Sequence, residues 1–306
     1  MIKNCFKILA NSFVNVWKIL LFKVIVLVIG AGLCAGLVLP NVIAILARVS
    51  ETGFFENLRA VVVDFFTRGS DIALGIEEFK NSAEAASHIL AQNATRLTAA
   101  TVVITVIIVA VNMLGCMADM VAADIVDAAM SSDAKYGFMS RFIITAGTNA
   151  KYQLVRLITE IPLIGLVLTG LWFLFTLLFQ HIYVFSLLIV VAFGVVLISV
   201  ANVFFSMWLP SIVTEKKPVL RALGTSFKMG GRQFSRLFSH FILINLLLMF
   251  VNVLIVFFTC GAGLLVTLPA CTLFTVIFRT VNYYHSTGRK YYCGEDAVFN
   301  PKNIIR

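Results

Sequence analysis

Acid is in short supply in this sequence: 15 Asp and Glu stand against 24 Lys and Arg, and all charged residues together make up only 13% of 306 positions. A soluble domain of that length needs far more polar surface, so a water-soluble globule is excluded as the default class. Cysteine is present six times but never as C-x-x-C, and most of the six sit in or beside apolar runs. This removes the zinc-ribbon and disulfide-framework readings and leaves small hydrophobes in helices. Histidine is limited to His88, His181, His240 and His285, with no H-E-x-x-H or H-x-x-x-H spacing. No P-loop, nucleophile-elbow or dinucleotide fingerprint occurs either, so the sequence offers no catalytic motif and no cofactor site.

What remains is grease. Hydrophobic residues make up 60% of the chain, with 27 phenylalanines among them, and the mean hydropathy is +0.97. Six windows reach the length of about 20 apolar residues that a bilayer crossing requires: 24–47, 97–117, 161–179, 183–209, 241–260 and 264–283. The expected fold class is an all-α membrane protein, with 1–306 as one integral membrane domain. The first window is too long for a signal-peptide core and lacks a small-x-small cleavage site, so it reads as a retained span.

Lys and Arg sort the connections by side. Lys3, Lys7, Lys18 and Lys23 precede the first span with no acid among them. The basic segment 211–240 holds Lys216, Lys217, Arg221, Lys228, Arg232 and Arg236 against Glu215 alone. The segment 48–96 instead carries more acid than base. With the tail counted from Arg279, placing both termini inside puts 19 of the 24 basic residues on the cytoplasmic side. The expectation is a multi-pass plasma-membrane protein facing an anionic cytoplasmic leaflet. Basic residues in short blocks beside apolar runs fit lipid and not nucleic acid.

The insertion 48–96 is then extracytoplasmic. Phe54, Phe55, Leu58, Val61, Val62, Phe65 and Phe66 recur at helical spacing, as do Ile72, Ile76, Phe79, Ala83, Ala86, Ile89 and Leu90. Two amphipathic helices separated by RGSD (68–71) are expected, forming either a cover for the bundle end or a surface for a partner. Asn93-Ala-Thr95 fits a glycosylation sequon.

A threefold pattern runs through the chain. Ser12 is followed by Lys18 and Lys23, Thr145 by Lys151 and Arg156, and Ser226 by Arg232 and Arg236, each before an apolar span. The spacing predicts three units, each an interfacial amphipathic helix followed by two spans. Lys18, Lys23, Lys151, Arg156, Lys216, Lys217, Arg221, Lys228, Arg232 and Arg236 are the expected contacts to lipid headgroups. Pro218 is expected to open an interfacial helix over 218–229 that ends at Gly230-Gly231, and Pro210 to end the fourth span.

Pro210, Glu215, the run ALGTSFKMGGRQFSRLF (222–238), Pro269 and VNYYHSTGRKYY (281–292) carry a resemblance. Over 200–292 the chain resembles a group of bacterial polytopic membrane proteins related to the membrane domain fused to some glycerophosphodiester phosphodiesterases. The resemblance implies a fold and no activity, because the phosphodiesterase catalytic domain has no counterpart here.

Polar residues inside or beside the spans are the best pointers to function. Asn112, Asn202, Asn245 and Asn252 lie within them, and Glu160 stands at the mouth of the third, where it reads either as a cation or proton site or as a cap on a helix starting at Pro162. Together these five form a candidate polar path. Asp119, Asp124 and Asp127 follow the second span; DIVD (124–127) opens like a CDP-alcohol phosphotransferase motif, but the AAMSSDAK that follows breaks it. GAGLC (30–34) and CGAG (260–263) read as close-packing glycines. Two functional classes stay open: a non-enzymatic protein that transports or accommodates a small molecule or lipid, or supports a membrane complex; or a lipid-modifying enzyme using the acids of 119–127. A membrane-protein partner and a homo-oligomer also stay open.

Overall fold

The computed structural model describes all residues except 68–72, 133–135, 182–184, 294–297 and 301–306, together with the side chains of 64–67, 73–75 and 180–181. The chain is almost entirely helical, the exception being a strand pair in which β1 (Tyr291–Tyr292) runs antiparallel to β2 (Val298–Phe299). Six helices among the described residues are long and apolar enough to cross a membrane, and their surfaces are covered with exposed Leu, Ile, Val and Phe. Such surfaces are stable in lipid and not in water. The protein is an all-α integral membrane protein.

The chain divides into two compact units, Ile25–Asn112 and Met1–Val24 with Met113–Arg306. In the smaller unit, α2 (Val14–Leu37) ends early and α3 (Leu39–Glu51) follows after one residue. This corrects the expected span 24–47. The apolar run is continuous through both helices, but Pro40 lacks the N–H that an unbroken helix needs. Next come α4 (Phe54–Thr67) and α5 (Ala73–Gln92), which pack on each other and on α3. On α5 the expected inward face holds at Phe79, Ala83, Ala86 and Ile89, while Ile76 and Leu90 are exposed. The RGSD separator lies outside the described residues. Asn93 is buried and its amide is held by the Ile89 carbonyl at 2.9 Å, so the sequon is not presented as an acceptor. Gly30 lies where a Cβ would collide with the Val111 side chain, whereas Gly32 meets open space, so close packing in GAGLC holds at Gly30 alone. CGAG does something else: Cys260 and Gly261 both have positive φ and turn the chain between α11 (Phe234–Thr259) and α12 (Leu264–Thr287).

The larger unit is organised around three helical stretches that supply much of its buried core, joined by Ile19 from α2 and by Leu237, Phe241 and Ile244 from α11. The stretches are the ends of α6 (Ala94–Ser132), of α8 (Ser186–Phe205) with α9 (Trp208–Glu215), and of α12. Met120, Val121 and Val126 come from the first, Met207, Trp208 and Ile212 from the second, and Ile277, Phe278 and Tyr283 from the third. Each stretch follows a membrane-spanning portion and is buried on several faces, whereas the spans themselves face outward.

Three basic amphipathic segments surround this core. Two are separate helices, α1 (Ile2–Asn11) and α10 (Val219–Arg232); the third is the first half of α7 (Phe138–His181). Their packing is cyclic. α1 packs on α12, the first half of α7 hydrogen-bonds α6, and α10 packs on α8 and α9. Each basic segment thus meets the second span of the preceding repeat, and the last repeat closes back on the first.

The repeats are not identical. α1 and α10 are each followed by a short break before their span, at Ser12-Phe13 and at Gln233. α7 continues for 44 residues without interruption, straight through Pro162. No helix therefore starts at Pro162. The expected break at Gly230-Gly231 is also absent, since α10 runs to Arg232. Pro210 lies in the first turn of α9, and the break falls one turn earlier at Ser206-Met207. The reason is local: proline cannot donate to the carbonyl four positions back, so the ladder opens there.

Candidate functional site

A cavity of about 290 Å³ opens among α6, α7, α9 and α12 in the larger unit. Asp119 comes from α6, Tyr152 and Arg156 from α7, and Leu209 from α9. One face of α12 supplies Leu268, Cys271, Thr272, Thr275, Val276 and Arg279. Their spacing of three and four residues is that of a single helical stripe.

The charged groups are unequally satisfied. Arg156 Nε donates to Glu160 one turn on, at 2.5 Å, and its Nη1 stands 3.9 Å from Asp119. Asp119 is also paired with Lys23 at 3.3 Å. Arg279 differs. Its Nη2 donates to Asn202 Oδ1 at 2.7 Å, its Nε is buried without an acceptor, and among the described residues no carboxylate pairs with it. Thr272 and Thr275 turn their hydroxyl protons onto the Leu268 and Cys271 carbonyls. This leaves their oxygens free to accept.

The five residues expected to form a polar path meet different fates. Glu160 and Asn202 each bond an arginine of the cavity, and Asn252 reaches Cys271 Sγ at 3.6 Å while donating to the Leu248 carbonyl. Three of the five thus brace the cavity wall from behind. Asn245 donates to Ser199 Oγ at 2.9 Å and ties α11 to α8. Asn112 belongs to the smaller unit.

The acids of α6 are spent on holding helices. Asp124 is buried and paired with Arg141 at 3.0 Å and Lys216 at 3.4 Å. Asp127 accepts from Thr214 at 2.6 Å and from Tyr284 at 2.9 Å. Among the described residues no group of three or more His, Cys, Asp or Glu is placed to hold a metal ion. Of the expected headgroup contacts, Lys18, Lys151, Arg221, Lys228, Arg232 and Arg236 are exposed. Lys23, Arg156, Lys216 and Lys217 are instead committed to carboxylates of the protein.

A second cluster joins the chain ends. Asn4 donates to the Tyr291 hydroxyl at 3.1 Å, the His285 ring lies 3.0 Å from the same oxygen, and Cys5 and Cys293 are buried nearby. Burial pushes the Cys5 thiol up to about 12 and raises Cys293 and Tyr291 as well. These groups stay protonated at neutral pH and act as packing, not as nucleophiles.

Compared with protein-family models, with curated proteins and with solved structures, the chain matches none.

Proposed function

We propose that this protein is a non-enzymatic membrane protein that accommodates a small polar or amphipathic molecule in the cavity among α6, α7, α9 and α12. One observation carries the reading: two arginines, a carboxylate, a tyrosine and two threonines line a single hollow among helices whose spans expose Leu, Ile, Val and Phe. Polar groups at such positions are costly and are retained where a ligand meets them. The engagement of Asp124 by Arg141 and Lys216, and of Asp127 Oδ1 by Thr214 and Tyr284, supports a helix-holding role for these acids over a lipid-modifying enzyme. In this reading both termini and the basic segments face the cytoplasmic leaflet of the plasma membrane, following the excess of Lys and Arg. The resemblance of 200–292 to a membrane domain without catalytic motifs agrees with it.

The test fills the hollow. Thr272→Trp places a ring in the cavity, and native mass spectrometry of protein released from detergent reads retained small molecules. The wild type is expected to carry a bound species that the variant loses. Equal retention by both overturns the reading.

A further inference from the structure

We infer that the group taken up at this cavity is a phosphate-type oxyanion, held by the guanidinium of Arg279 with Arg156 beside it. The inference rests on the cavity reading above and adds the chemistry of the ligand.

The charge balance points to an anion. Among the described residues, the carboxylates paired with Lys23 and Arg156 are Asp119 and Glu160, and both are already engaged, Asp119 by Lys23 and Glu160 by Arg156. Arg279 is left over. A guanidinium stays charged under all ordinary conditions, so a partly buried one within a spanning helix demands a counter-charge. Asn202 supplies a dipole at one Nη and no charge, and the buried Nε–H has nothing to donate to. The planar fork of a guanidinium can meet two oxygens of a single oxyanion.

Size and surroundings narrow the class. About 290 Å³ lies at the small end of ligand sites, which suits a headgroup and not a whole lipid. Leu209, Leu268 and Val276 share the lining with the arginines, so an apolar tail attached to the anion would find apolar contact. Asp119 does not repel such a group decisively, because Lys23 offsets it at 3.3 Å. Two sources supply the same chemistry, an anionic phospholipid and free phosphate.

The experiment uses the full chain purified in dodecyl maltoside. Thermal unfolding is followed with phosphatidylglycerol, with phosphatidylcholine or with inorganic phosphate added. Wild type is expected to be stabilised by phosphatidylglycerol and not by phosphatidylcholine, and Arg279→Gln to lose roughly tenfold or more in apparent affinity. Stabilisation by inorganic phosphate, with competition against phosphatidylglycerol, supports the inference with free phosphate as the source. Its absence alongside a phosphatidylglycerol effect supports the lipid. Equal response to both lipids, or full discrimination kept by Arg279→Gln, overturns it. If Arg279→Gln does not fold, Arg279→Lys decides: an ammonium cannot make the bidentate contact of a guanidinium, so phosphatidylglycerol affinity falls, and an unchanged affinity overturns the inference. Thr272→Trp separates the two levels. Binding lost there but kept in Arg279→Gln removes the anion and leaves the cavity, whereas binding unchanged in Thr272→Trp removes the cavity and this inference with it.

Discussion

Ser226 Oγ donates to the Phe204 carbonyl at 2.5 Å and accepts from the Met207 N–H at 3.2 Å, so one hydroxyl bridges the break between α8 and α9. The break exists because Pro210 cannot continue the ladder, and the backbone groups it frees are buried. Ser226 is itself fully buried on α10. A residue in the middle of α10 thus repairs the second span of the preceding unit. Ser226→Ala should leave a buried donor and acceptor without partners and cost about 1–3 kcal/mol. Unfolding by SDS titration measures this, and a variant within error of wild type would show that the bridge contributes nothing.

Two adjacent glycines of α10 should respond with opposite signs. A Cβ on Gly230 would lie 2.7 Å from the Val203 carbonyl oxygen, which belongs to backbone and has little room to yield. A Cβ on Gly231 meets open space. Gly230→Ala should therefore push α10 off α8 and destabilise. Gly231→Ala should stabilise by about 0.5–1 kcal/mol through helix propensity alone. The same SDS titration reads both variants.

Asp124 is the buried hinge of a charge network. Its partner Arg141 is mostly covered, with 20% of the side chain exposed, whereas Lys216 is 73% exposed. Arg141 also stacks on Tyr136, 3.6 Å from the ring centroid. A double-mutant cycle of Asp124→Asn with Arg141→Gln should give a coupling of about 1–3 kcal/mol, and the cycle with Lys216→Gln less than about 0.5. Coupling energies in the reverse order would refute this division of labour. If the acids are structural, Asp124→Asn and Asp127→Asn should lower the amount of folded protein while leaving the function of the folded fraction unchanged.

The lengths and apolar character of the spans fix most of this architecture before any contact is known, which is why six of them could be placed from apolar length alone. The errors cluster at prolines and glycines. Pro40 cuts an apolar run that composition treats as one, Pro162 is carried inside α7, and Gly230 serves contact where a helix end was expected. The outcome at Gly230 depends on Val203, a neighbour distant in sequence, and no local pattern contains it. Arg279 shows the same limit at the cavity. At the close of an apolar run it counted as tail charge, yet the aromatic stretch through Tyr284 that keeps it inside α12 was a readable signal. What singles it out is Asn202, 77 positions away, and the missing acid.

The thiol of Cys5 should be nearly inert. Burial raises it to about 12, so the thiolate that alkylating reagents need is present at pH 8 at roughly one part in ten thousand. The sign follows directly: reactivity rises with pH and stays low until the pH nears that value. Iodoacetamide at pH 8 should leave Cys5 and Cys293 unmodified in the folded protein and modify both after denaturation in SDS. Peptide mass spectrometry distinguishes the sites. Rapid modification of Cys5 in the folded state would mean that α1 does not stay packed on α12.

Orientation is open to a direct test, and burial dictates where the probes must go. Ser82 and Ser226 are buried, so cysteines there would report packing and not sidedness. Ser87 on α5 and Lys228 on α10 are exposed. In a background with the six native cysteines replaced, Ser87→Cys should react with a membrane-impermeant maleimide in intact cells. Lys228→Cys should react only after permeabilisation. The expectation rests on charge: α10 carries Arg221, Lys228 and Arg232, and pulling such a segment across an energised bilayer costs about 2.3 kcal/mol per charge per 100 mV. Labelling of Lys228→Cys from outside would invert the topology and place the Arg156 and Arg279 cavity toward the opposite leaflet.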